Sequence, residues 1–182
     1  MSDDSVSDDQ VSDDQVSDDQ LSDGRFPSSL APLVGRWSVA MATHGPDGPV
    51  RADGLTAEKR WFADGRYVQE VLAGAFAGAH HEKRTLLGLN PTRGRYEYVT
   101  ADNHDAVLLL YTGRPGAAGD ERRLDLWAEY VSPGDAAPRG VLLTVRTTLT
   151  VVTDDEHTLA NFYAEPGRPE RPFLEYHYRR AA

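Results

Sequence analysis

The sequence predicts an all-β fold: a roughly ten-stranded antiparallel barrel preceded by a disordered acidic tail. Three observations carry this reading. Short segments of β character recur at roughly ten-residue spacing, bounded by Gly, Pro, Asn and Asp. Apolar residues alternate with a period of two, and no segment sustains the helical period of about 3.6. Residues 1–26 differ sharply in composition from residues 27–182. An open sheet of this size would carry two long edges, and closing it into a barrel removes them.

The tail comes first. Ser7-Asp8-Asp9-Gln10-Val11 recurs at Ser12 to Val16, and again at Ser17 to Leu21 with Leu replacing Val. A five-residue period builds neither a helix face nor a strand face, and the Asp pairs repel one another, so disorder is expected. Ca²⁺ binding, docking through the Val/Leu positions and closure over a barrel mouth are alternative roles. The spacing does not match an EF-hand loop. Residues 1–25 hold nine Asp and one Arg, a net of −8; subtracted from the chain's −10 this leaves −2 for the body. The body is near neutral with no basic stripe, so nucleic-acid binding is not expected.

Residues 27–182 read as one domain, long enough to bury a single core. Leu30-Ala31-Pro32-Leu33 suggests a short helical turn before Gly35. Strands are expected near 36–43, 55–62, 66–73, 80–88, 94–101, 106–112, 122–131, 140–151, 156–164 and 172–180. Asp64-Gly65 signals a tight hairpin, Asn90 to Gly94 a longer turn, and residues 113–119 and 132–140 are Pro/Gly-rich loops. Leu124, Leu126, Ala128 and Tyr130 share one face; so do Val141, Leu143, Val145, Thr147, Leu149 and Val151, and Leu174, Tyr176 and Tyr178.

Several function classes are excluded or disfavoured. The absence of cysteine removes disulfides, thiolate catalysis and cysteine-ligated metals, and fits a reducing compartment. No basic and apolar leader opens the chain, and the longest apolar run, Ala106 to Tyr111, is far short of a membrane span, so a soluble cytoplasmic protein is expected. Lysine occurs only at Lys59 and Lys83 among abundant Arg, Ala and Gly, a bias suggesting a GC-rich bacterial genome. Dinucleotide, P-loop, Gly-x-Ser-x-Gly and zinc-helix motifs are absent; His80-His81-Glu82 lacks the spacing of the last.

Gly35-x-Trp37 at the first strand, with Arg179-Arg180 closing the last, resembles the lipocalin-like (calycin) superfamily. That resemblance implies a barrel in which the Trp plugs one end and a late Arg packs over its ring. Within it, Leu33-x-Gly35-x-Trp37, Asp64-Gly65-Arg66-Tyr67-Val68-x-Glu70, Leu87-Gly88-Leu89-Asn90 before Arg95-Tyr96, and Tyr176-x-Tyr178-Arg179 resemble a bacterial family catalogued as a domain of unknown function. The match spans about residues 30–180. More distantly the chain is similar to the nitrobindins, which hold haem through a histidine near the C-terminus. Their fuller Gly-x-Trp-x-Gly-x-Gly opening is not met, because Val39 and Met41 stand at the later Gly places.

The chemistry-bearing residues follow from this frame. Strand carboxylates directed inward would be buried and shifted, suited to acid–base work. Glu70, Glu129, Tyr163 and His177 are therefore the catalytic candidates. Tyrosine pairs an apolar body with a hydroxyl handle, so Tyr96, Tyr98, Tyr130, Tyr176 and Tyr178, with Arg146 and His157, are the ligand-binding candidates. His157, Asn161, Glu175 and His177 would meet if their faces all point inward. The leading expectation is binding of a small, mostly apolar molecule inside the barrel. One alternative is a cofactor-independent biosynthetic cyclase or isomerase that folds a flexible hydrophobic substrate. Another is a haem-binding barrel using His177 or His157. No metal site or other cofactor is expected, and a homodimer through an outer face is a possible partner arrangement.

Overall fold

The computed structural model describes residues 28–45, 48–104, 107–114, 122–132, 134 and 137–182. The expected acidic tail and much of the two Pro/Gly-rich loops lie outside these residues. A short 3-10 turn, Ser28–Leu33, leads into ten strands. They are β1 (Gly35–Gly45), β2 (Gly48–Phe62), β3 (Tyr67–Phe76), β4 (Ala79–Asn90), β5 (Arg95–Asp102), β6 (Leu109–Gly113), β7 (Arg123–Val131), β8 (Leu142–Thr153), β9 (Glu156–Ala164) and β10 (Arg171–Arg180). Each pairs antiparallel with its sequence neighbour, and β1 pairs with β10 to close the barrel.

The residues expected to share a face do so. Leu126, Leu143, Val145, Tyr176 and Tyr178 are buried inside, while Arg123, Trp127, Leu142 and His177 face out. The hairpin at Asp64-Gly65 is present: both residues take positive φ (56° and 74°), and Arg66 N–H donates to the Ala63 carbonyl. Two positive-φ central residues match the right-handed twist of the flanking strands.

The largest departure from expectation is β2, which starts at Gly48 rather than 55. Gly48, Pro49, Asp53 and Gly54 read as loop residues, yet the segment pairs with the far half of β1. Its register slips between Val39 and Met41, and Gly54 there takes φ 83°. A bulge of this kind absorbs the residue types that a regular strand rejects.

One end of the barrel is stoppered. Trp37 is almost completely buried, with Leu30 and Leu33 buried nearby. Trp37 Nε1 donates to the Leu33 carbonyl at 2.9 Å, tying the 3-10 turn across the opening. The Arg180 guanidinium lies 4.4 Å from the indole centroid and donates to the carbonyls of Pro32, Val34 and Asp154. Gly35 is fixed by this packing: with φ 143°, an added Cβ would stand 2.5 Å from Arg180 Nη1.

Candidate functional site

Beneath the stopper the barrel holds a polar layer built from facing strands. Lys59 on β2 and Glu70 on β3 are cross-strand partners, and Glu70 in turn faces Thr85 on β4. Lys59 Nζ donates to His157 Nε2 at 2.8 Å and lies 3.9 Å from Glu70 Oε1. Glu70 Oε1 also accepts from Tyr178 Oη at 2.8 Å, and its Oε2 accepts from Thr85 Oγ1 at 3.2 Å. The His157 ring stacks on Tyr178 at 4.3 Å and meets Trp37 edge-on at 4.3 Å. All five polar residues of this layer are buried.

The charges in this layer follow from burial and proximity. Burial pulls the Lys59 ammonium down to about 8, although Glu70 pulls the other way. For Glu70, burial acts to raise the carboxyl. Lys59, Lys83 and the hydrogen bonds from Tyr178 and Thr85 outweigh it, so the group is held below its ordinary value. His157 is driven far down by burial and then by Lys59 and Arg180, so it is neutral. Because Nε2 accepts from Lys59, Nδ1 carries the proton, and that atom has no hydrogen-bond partner among the described residues.

Past this layer the interior opens into a cavity of about 140 Å³. Its walls are Leu109, Leu143, Val145, Phe173 and Leu174, with Tyr98, Tyr111, Tyr130, Tyr163 and Tyr176 supplying rings and hydroxyls. Burial, reinforced by Glu70, raises Tyr98 and Tyr176 above the ordinary phenol value, so both stay protonated. Lys83, Thr100, Asp102 and Asn161 complete the lining. Lys83 Nζ sits 3.9 Å over the Tyr176 ring. Among the described residues it makes no hydrogen bond and no ion pair; Glu70 and Asp102 act on it only through space, and burial pulls it below its ordinary value. A smaller void of about 20 Å³, touching Lys59, Glu70 and Thr85, lies on the stoppered side, and Tyr98 borders both spaces.

The sequence candidates divide accordingly. Tyr98, Tyr130, Tyr163 and Tyr176 line the cavity. Glu70, His157 and Tyr178 form the polar layer, and Tyr96 is buried on the same face as Tyr98. Three candidates lie elsewhere. His177 is exposed and pairs with Glu175 on the outer wall, because both alternate with the inward Tyr176 and Tyr178. The expected meeting of His157, Asn161, Glu175 and His177 therefore does not occur. Glu129 is exposed on β7, one step out of phase with Ala128 and Tyr130. Arg146 faces outward and binds Glu170 and Asp125, with its guanidinium 4.2 Å from the Phe162 ring.

The haem-ligand expectation meets the same geometry. His157 has Nε2 engaged by Lys59 and its ring enclosed by Trp37 and Tyr178, while His177 is outside. Neither fits the role of an axial ligand in the cavity. Among the described residues no group of three or more His, Cys, Asp or Glu is arranged to hold a metal ion.

Sequence reasoning passed over Lys59 and Lys83 as site residues. The signal was present. The chain has 17 Arg and only two Lys, and both Lys fall in phase with inward residues: Leu55, Ala57 and Lys59 on β2, and Lys83, Thr85 and Leu87 on β4. Lysine is seldom buried, so two in-phase lysines are informative in a way that two scattered ones are not.

The family described as "Protein of unknown function (DUF1579)" matches residues 27–180. The chain belongs to the DUF1579 family. No curated protein matches it. Among solved structures, this DUF1579 member is similar to Rv2717c from M. tuberculosis at TM-score 0.57 and 16% identity, over 87% of this chain and 100% of that one. The redesigned beta barrel b11L5F_LGL aligns at TM-score 0.43 and 12% identity, over 85% of this chain and 96% of that one. EF1p2_mFAP2b bound to DFHBI aligns at TM-score 0.33 and 12% identity, over 86% of this chain and 100% of that one. The likeness to Rv2717c is one of fold. Among the described residues no helix is long and apolar enough to cross a membrane.

Proposed function

We propose that the barrel binds a small, mostly apolar molecule in the space between Tyr98, Leu143, Val145, Tyr163 and Tyr176. The observation that carries this reading is the cavity itself: about 140 Å³, walled by aliphatic and aromatic side chains with a few inward polar groups. Drug-sized ligands take roughly 300–1,000 Å³. An apolar cavity of about 150 Å³ takes one benzene ring. The volume therefore selects a ligand about the size of a single aromatic ring. The polar layer supports binding over acid–base turnover, since Glu70 and His157 already hold partners within the barrel wall.

The test is an NMR titration of the full chain with benzene. Saturable shifts at the Tyr98, Tyr163 and Tyr176 rings, removed by the space-filling change Leu143→Phe, support the reading. Absence of saturable shifts, or shifts untouched by Leu143→Phe, contradict it.

A further inference from the structure

We infer that the bound molecule carries a carboxylate and that Lys83 receives it. The inference rests on the cavity-binding reading above and adds the chemical class of ligand. Lys83 is 97% buried, as its 3% relative exposure shows, and it lines the cavity. Its nearest described partner is the face of the Tyr176 ring at 3.9 Å. A ring face compensates a desolvated ammonium only in part, at roughly 0.5–2 kcal/mol, whereas burying an unpaired charge costs several. Lys59 shows the contrast: it has both an acceptor in His157 and a carboxylate in Glu70.

Glu70 cannot serve both lysines equally, because its oxygens already take Tyr178, Thr85 and Lys59. The remaining lining suits an acceptor as well. Tyr98 and Tyr176 stay protonated, but the Tyr176 hydroxyl already reaches His81 Nε2 at 3.4 Å and Tyr98 bonds Thr100, so the Lys83 ammonium is the main donor to a carboxylate's lone pairs. Asp102 also lines the cavity and acts on Lys83 through space, so it opposes an anion there. Volume then selects a monoaromatic carboxylate, with the ring among the tyrosines and the head on Lys83.

Two probes of similar size separate charge from shape: benzoate and benzyl alcohol, titrated by calorimetry into the full chain. Wild type should prefer benzoate by about tenfold or more, the worth of a charge-assisted hydrogen bond. Lys83→Met should abolish that preference while benzyl alcohol still binds, and His177→Ala, on the outer wall, should leave both affinities unchanged. Equal affinities in wild type, or a preference that survives Lys83→Met, overturn the carboxylate assignment and leave the cavity reading standing. Failure of both probes to saturate wild type overturns both readings. If Lys83→Met does not fold, the wild-type ratio decides.

Discussion

The two halves of the barrel interior treat the same residue type in opposite ways. On the stoppered side, Lys59 is enclosed by His157, Glu70 and the Tyr178 ring. On the open side, Lys83 lies against the Tyr176 ring and the cavity, with Glu70 and Asp102 acting on it only through space. One lysine is bound into a polar network, and the other has its ammonium against a ring face. The difference teaches that a buried charge is read by its partners, not by its depth. The first half reads as structural because Lys59 and Glu70 find charged or hydrogen-bonding partners within the chain, and the second is the half we propose as a binding site because Lys83 has no such partner among the described residues.

The strongest way to break the comparison is to remove the shared carboxylate. Glu70→Leu strips Lys59 of its buried counter-charge and leaves the Tyr178 hydroxyl without its acceptor. Denaturant unfolding should show a loss of about 3–5 kcal/mol, the usual cost of breaking a buried pair. A loss within about 0.5 kcal/mol, the scale of an ordinary surface substitution, would contradict the account.

A pH titration sharpens it. Lys59 releases its proton near pH 8 in the folded chain and near 10.5 in the unfolded one. Between these values the unfolded chain binds more protons, so this group makes stability rise with pH. From pH 8 to about 9.5 the gain is about 1.5 kcal/mol. The buried tyrosines, shifted upward, oppose it only above their ordinary value of 10. Stability curves of wild type and Lys59→Met measured together should diverge in that window, with wild type the steeper; parallel curves would count against the assignment.

The smallest effect concerns the stopper. Arg180→Met removes the cation above Trp37 and its carbonyl contacts, at a cost of about 1 kcal/mol for a partly exposed pair. The change should appear as a lower unfolding midpoint without altered benzene binding, since Arg180 is outside the cavity lining.

How much of this was legible in the sequence differs between fold and site. Alternation places a strand's faces directly, so Leu124 to Tyr130 and Val141 to Val151 could be assigned without coordinates. The stopper was expected only through the resemblance carried by Gly35-x-Trp37 and Arg179-Arg180, which left open which Arg covers the ring. Which face is inward is harder to judge when both carry polar groups. His177 and Tyr178 are neighbours in sequence, and only closure of β1 onto β10 decides that the tyrosine is inside. Glu129 and Arg146 failed as interior candidates for the same reason: each is one residue out of phase with an apolar face. Cross-strand encounters were beyond reach, because Lys59 and His157 are 98 residues apart and meet only across the closed barrel.

The most direct test is the unfolding free energy of Lys83→Met in the absence of ligand. If the Lys83 ammonium is buried without a matching acceptor, an apolar side chain of similar length should stabilise the empty protein by about 1 kcal/mol or more. A loss of stability would show that Lys83 is already satisfied within the fold, and the contrast between the two halves would fail.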